Sequence, residues 1–267
     1  CPSMTAPTPP ASALAARACT HPAVSAALER LKAGETITLG GLWGASSALA
    51  LAAASSQAPG SLLALTPGED AAEDLAAALL AFGVRPMRYP APGSLSQIGA
   101  RLLVLRTLTS ESTTRGLVVS SLAALGAEVP TPSHLEEATL KLTLGEARPP
   151  DDLARILHAA GLQRVESAEA PGEFARRGGI LDAFPPGETA PLRIEWDSDL
   201  ISSLRSFDPG TQQSGKPLRE AFLLLPGALE GMSGTLLDHL PAQAWLALVD
   251  PALIWERSGF ELSGTVS

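Results

Sequence analysis

Five positions in the stretch ETITLGGLWGASSALALAAA, residues 35–54, raise the possibility of phosphate chemistry: Gly41, Gly44, Ser46, Ser47 and Ala48. A phosphate-binding loop needs glycines whose backbone N–H groups close around the anion, a lysine for the outer phosphates and a Ser or Thr hydroxyl for magnesium. With Gly41 as the first glycine of G-x-x-x-x-G-K-[ST], the last three positions fall on Ser46, Ser47 and Ala48. Glycine, lysine and hydroxyl are each replaced, and no lysine follows before Lys141. The layout is that of a phosphate loop and the chemistry is missing. What remains is a strand–turn–helix corner whose helix N-terminus could hold an anion only weakly. No cofactor is expected.

The elements that position this corner alternate. Val24, Ala27, Leu28 and Leu31 mark a first helix over residues 23–32, and Ile37 and Leu39 an opening strand before the alanine-rich helix. SLLAL (61–65), residues 87–89 and GLVVS (116–120) read as further strands. TPGE (66–69) reads as a capping box starting a helix that stops at Gly83, and residues 101–108 as another helix. Strands alternating with helices argue for a parallel sheet covered on both faces. After the proline-rich VPTPS (129–133) the pattern changes. A strand at 139–144, a helix at 151–160 and closely spaced strands at 173–184, 192–196 and 201–207 argue for an antiparallel α+β module. Strand-like runs return at 221–225 and 244–249, and the module reads as an insertion after which the chain rejoins the first domain or begins its partner.

Composition narrows the function. The 267 residues are 45% hydrophobic, enough for one large or two smaller domains with real cores. The formal net charge of −9, from 28 acids against 19 bases, argues against nonspecific nucleic-acid binding, which needs clustered Lys and Arg. A protein partner is expected instead. Two cysteines and four scattered histidines give neither a disulfide framework nor a zinc site. The CPS ahead of Met4 reads as a cloning remnant, and residues 5–12 as a disordered lead-in. The longest apolar run, residues 75–82, is far shorter than the roughly 20 residues of a membrane span, and a cytoplasmic protein is expected.

The richest stretch is GEFARRGGILDAFPPGETAPLRIEWDSDLISSLRSFDPGTQQS, residues 172–214. In order it carries Phe174, Arg177, Gly178, Gly179, Ile180, Leu181, Asp182, Phe184, Pro185, Arg193, Glu195, Ser203, Arg205, Phe207, Gln212 and Ser214. This pattern resembles the UvrB-homology module at the N-terminus of bacterial transcription-repair coupling factors, and the resemblance extends to residues 41–83 and 116–125. It implies a degenerate RecA/helicase-like parallel-sheet domain with an inserted antiparallel α+β domain that docks UvrA. It also implies a longer parent, an ATP-dependent DNA translocase, of which this chain is an N-terminal portion. Its other domains would be further partners, able to mask the docking surface. UvrB itself has an intact phosphate loop and an aromatic hairpin. Here Ser47 stands where the lysine would be, and YPAPGSLSQIG (89–99), with a single Tyr, replaces the hairpin. Stacking aromatics for a nucleobase are therefore missing.

The expected domains are a remnant and lead-in at 1–20, the first part of the helicase-like domain at 21–129, the docking domain at 130–216 and a return segment at 217–267. Candidate partner-binding residues are Arg177 and Arg193 first, then Arg164, Arg176, Glu195 and Arg205, because arginine's planar fork makes it a frequent interface anchor. Alternation puts Arg177 on one strand face with Ala175 and Gly179, and Phe174, Arg176 and Gly178 on the other. Mixed charges on antiparallel strands are equally what a solvated face with cross-strand pairs presents. Gly178 and Gly179 suit a bulge with positive φ, Phe184 and Phe207 a core, and Asp182 a structural hydrogen bond or ion pair. Three functions follow: a UvrA-recruiting module without ATPase activity, a UvrB-like damage-binding ATPase, or an autoinhibitory module packing on its own parent.

Overall fold

A computed structural model of the chain describes residues 10–109, 116–186, 188, 190–211, 213–225 and 233–259, with the side chains of 10–13 and 95 outside the description. Gln212 of the motif and residues 1–9 fall outside it. The elements begin with α1 (Pro10–Thr20), α2 (Pro22–Lys32), α3 (Ser46–Gln57), β1 (Leu62–Thr66), α4 (Glu69–Ala81), β2 (Met87–Tyr89), α5 (Leu95–Thr109), β3 (Leu117–Ser121) and α6 (Leu122–Leu125). There follow α7 (Pro132–Glu137), β4 (Thr139–Thr143), α8 (Pro150–Ala159), β5 (Gln163–Val165), β6 (Glu173–Arg177), β7 (Ile180–Phe184), β8 (Leu192–Asp197), β9 (Leu200–Phe207), β10 (Ser214–Pro217) and β11 (Glu220–Leu224). A 3-10 turn (Leu236–His239), β12 (Trp245–Leu248) and α9 (Pro251–Ser258) complete the order.

Two compact units form. The first comprises Cys1–Ala91, Thr107–Ala127 and Leu240–Ser267, the second Pro92–Arg106 and Glu128–His239. In the first, the strands run in the order β12-β1-β3-β2 and every pairing is parallel. Leu62 and Ala64 of β1, Leu117 and Val119 of β3, and Trp245 and Ala247 of β12 pack with Ala48, Leu51 and Ala52 of α3 and Ala72, Leu75 and Leu79 of α4. Small alanines on both helices let them approach the sheet closely.

Several expectations are corrected here. Pro10–Thr20 is a helix, not part of a disordered lead-in, and Ala15 packs against the sheet's helical layer. The opening strand does not form: residues 35–40 belong to no strand and Leu39 is 44% exposed. Strand propensity is realised only where a neighbour completes the ladder. The capping box is also undone. Gly68 is the N-cap, and the Thr66 hydroxyl donates instead to the carbonyls of Gly68 (2.9 Å) and Ser120 (3.2 Å).

In the second unit, six strands run β10-β9-β8-β7-β6-β5, all antiparallel except β5 beside β6, while β4 pairs with β11. Helix α8 has proline and two aspartates in its first turn and fully buries Leu153 and Leu157. These join Phe174, Leu181, Ala183, Leu192, Ile194 and Leu204 of the sheet, with Leu142 and Leu223 of the β4–β11 pair, in one core. Because β11 pairs with β4, residues 217–239 belong to this unit, and the chain rejoins the first only at Leu240. The expected single run 173–184 is a hairpin: Arg177 pairs with Ile180 across Gly178 and Gly179. Gly178 has φ 59°, as the first residue of a II′-type two-residue turn requires, so the glycine pair makes a turn and not a bulge.

Candidate functional site

The register of the six-stranded sheet sorts its charged residues between two faces. Phe174, Ala183 and Leu192 lie side by side, as do Arg176, Leu181, Ile194 and Leu204, and both rows face the α8 core. The opposite face carries two other rows. Ala175, Asp182, Arg193 and Arg205 form one; Arg177, Ile180, Glu195 and Ser203 form the other.

The arginines on this outer face differ in what holds them. Arg193 bonds Asp182 through Nε (2.7 Å) and an Nη (2.8 Å) and lies over the Phe207 ring, 4.3 Å from its centroid. Its pKa is raised, first by the hydrogen bond to Asp182, against the opposing effect of burial. Arg205 donates from Nε to Ser203 Oγ at 2.9 Å. The Arg177 side chain is exposed and makes no hydrogen bond or ion pair with any described residue. Across the register from it, Ile180 leaves an apolar side chain 39% exposed.

Four of the six candidates, Arg177, Arg193, Glu195 and Arg205, thus share one face. Arg176 does not: it turns to the α8 side and pairs with Asp151. Arg164, in register with Phe174 on the edge strand β5, is exposed on that same α8 side. Asp182 takes the structural ion-pair role expected of it, and Phe184 and Phe207 are buried. Two contributions were missed: Ile180, and Phe207 as the platform under Arg193. The alternation Ile180, Asp182, Phe184 along β7 carried the signal for the first.

The first unit shows what became of the loop. Gly41 (φ 73°) and Gly44 (φ 55°) frame Trp43, whose N–H donates to Ser46 Oγ (2.7 Å); that hydroxyl donates back to the Trp43 carbonyl (2.8 Å). Ser46 therefore closes the loop on itself, Ala48 is buried, and Trp43 stands 85% exposed. No charged residue lies between Glu35 and Glu69. An α/β sheet ordinarily receives ligands at the carboxyl ends of its strands. In this unit those ends carry internal bonds: Arg88 pairs with Glu69 (2.8 Å) and donates to the Val119 carbonyl (3.3 Å), and Ser121 bonds Glu69. Among the described residues no helix is long and apolar enough to cross a membrane.

Comparison with known proteins fits this arrangement. The profile of the family described as UvrB interaction domain matches residues 140–227. A transcription-repair-coupling factor from Myxococcus xanthus is 30% identical over 214 residues, 74% of this chain and 18% of that protein. Its counterpart from Mycobacterium bovis is 34% identical over 184 residues, 63% of this chain and 15% of that protein. UvrABC system protein B of Kosmotoga olearia is 33% identical over 93 residues, covering 35% of this chain and 14% of that protein. The chain thus spans less than a fifth of the length of the coupling factors it matches. Residues 140–227 belong to the UvrB interaction domain family, in a chain similar along most of its length to transcription-repair-coupling factors, as the motifs of residues 172–214 imply.

Proposed function

We propose that this chain is the UvrA-recruiting module of a transcription-repair coupling factor, working in the cytoplasm and having no ATPase activity of its own. Docking uses the outer face of the six-stranded sheet, centred on Arg177 and Ile180 at the β6–β7 turn, with Glu195 and Arg205 beside them; Arg164, on the α8 side, lies outside this surface. The observation that carries this is the contrast on one face: Arg193 is tied to Asp182, while Arg177 is exposed and uncommitted. An unpaired guanidinium beside an exposed aliphatic side chain offers both a bidentate donor and a small apolar anchor. Arg193 holds the strand pair beneath them in register.

Mixing the purified chain with UvrA and separating by size tests the reading. Comigration supports it. Absence of a complex at micromolar concentrations, or saturable binding of Mg-ATP, would replace it with the autoinhibitory or the UvrB-like reading respectively.

A further inference from the structure

The longer of the second unit's two segments begins at Glu128 and ends at His239, and the stretches at its two ends are fastened to each other. Val129 and Gly234 exchange backbone bonds in both directions, at 2.9 and 2.8 Å. Their approach is tight: a Cβ on Gly234 would lie 3.2 Å from the Val129 carbonyl and from the Thr131 Cα. Five residues on, His239 Nε2 meets the Pro130 carbonyl oxygen at 2.7 Å, so Nε2 carries the proton and donates. The residue is 3% exposed, and its other ring nitrogen, Nδ1, is buried with no hydrogen-bond partner among the described residues. Asp238 fixes the turn that delivers the ring, its carboxylate accepting from Thr235 N (2.6 Å) and Oγ1 (3.0 Å).

We propose that residues 128–131 and 233–239 form a proton-operated latch: with His239 neutral the two ends of the segment Glu128–His239 are clasped, and charging His239 releases them. A proton added at Nδ1 would create, among the described residues, a buried N–H with no acceptor on a positive charge with no ion-pair partner, and the ring escapes that cost by leaving its pocket. The titratable side chains of the two segments and of α7, which follows the first, are Glu128, His134, Glu136, Glu137 and Asp238. Of these, Asp238 favours the charged ring, and so does the bond to Pro130; burial opposes both and prevails, holding the pKa below its ordinary value. A depressed folded-state pKa means that the clasp is stable above the unfolded pKa of about 6.5 and weakens as pH falls below it.

Amide hydrogen exchange on the whole chain tests the latch. From about pH 7.5 to about pH 5, protection of the Val129 and Gly234 amides, corrected for intrinsic rates, should fall by up to about tenfold per pH unit below about 6.5. The sheet amides of Leu181 and Ile194 should stay protected throughout. In H239Q, whose amide can still donate to Pro130 but cannot titrate, the fall should disappear. Wild-type protection at Val129 and Gly234 that is flat with pH, or a fall that persists in H239Q, would overturn the proposal. The wild-type measurement alone decides it if H239Q does not fold.

Discussion

Arg193 grips Asp182 across the β7–β8 pair with Nε and an Nη, the aspartate 6% and the arginine 18% exposed at the side chain. Removing one member of such a pair strands the other as a poorly hydrated charge, which costs roughly 3 kcal/mol or more. Asp182→Ala is therefore expected to lower stability to urea by about that amount. Arg155→Ala, which breaks the exposed pair of Arg155 with Asp152, is expected to change it by less than about 1 kcal/mol. Equal effects of the two would remove Arg193 from its holding role.

The turn at Gly178 and Gly179 supplies a second test. Gly178 sits at φ 59°, where a Cβ costs about 1–2 kcal/mol, whereas Gly179 lies outside the left-handed region and a Cβ there would meet Trp196 O at an ordinary 3.7 Å. Gly178→Ala should lower the unfolding midpoint measurably and Gly179→Ala much less.

For the first unit the expectation is no nucleotide binding. Ser46 closes its loop on Trp43, and Ser47 and Ala48 offer neither lysine nor magnesium hydroxyl. Calorimetric titration with Mg-ATP should give no saturable heat. Trp43, 85% exposed beside the loop, provides an independent fluorescence signal that should not change on adding nucleotide. A micromolar dissociation constant by either method would contradict the account.

Much of this was legible from local pattern, because local pattern is what physics reads directly from sequence. Two-residue alternation along 174–177 put Arg177 opposite Phe174, and the register agrees. The partners that decide a role are remote in sequence and were not legible. Arg176 pairs with Asp151 only because α8 docks on the sheet, and Glu69 deserts the helix start for Arg88 and Ser121, brought to it by β2 and β3. The glycine pair looked like a bulge because nothing local distinguishes one extra residue from two turn residues. Helix α1 was hidden by an Ala/Pro/Thr-rich lead-in, although alanine is the best helix former and proline suits a first turn. The three-residue strand β5, reading QRV, is too short for any periodicity to show.

The proposed docking places Arg177 of the outer face against UvrA. A guanidinium buried and hydrogen-bonded in an interface is worth roughly 2–5 kcal/mol on removal, and reversing its sign adds repulsion. Binding of UvrA to the wild-type chain, Arg177→Glu and Arg155→Glu should be measured by calorimetry, with circular dichroism verifying that all three are folded. Arg177→Glu should bind at least about 30-fold more weakly, and Arg155→Glu, on α8, should bind as the wild type does. A folded Arg177→Glu chain that binds UvrA with wild-type affinity would contradict the claim and move the docking surface elsewhere.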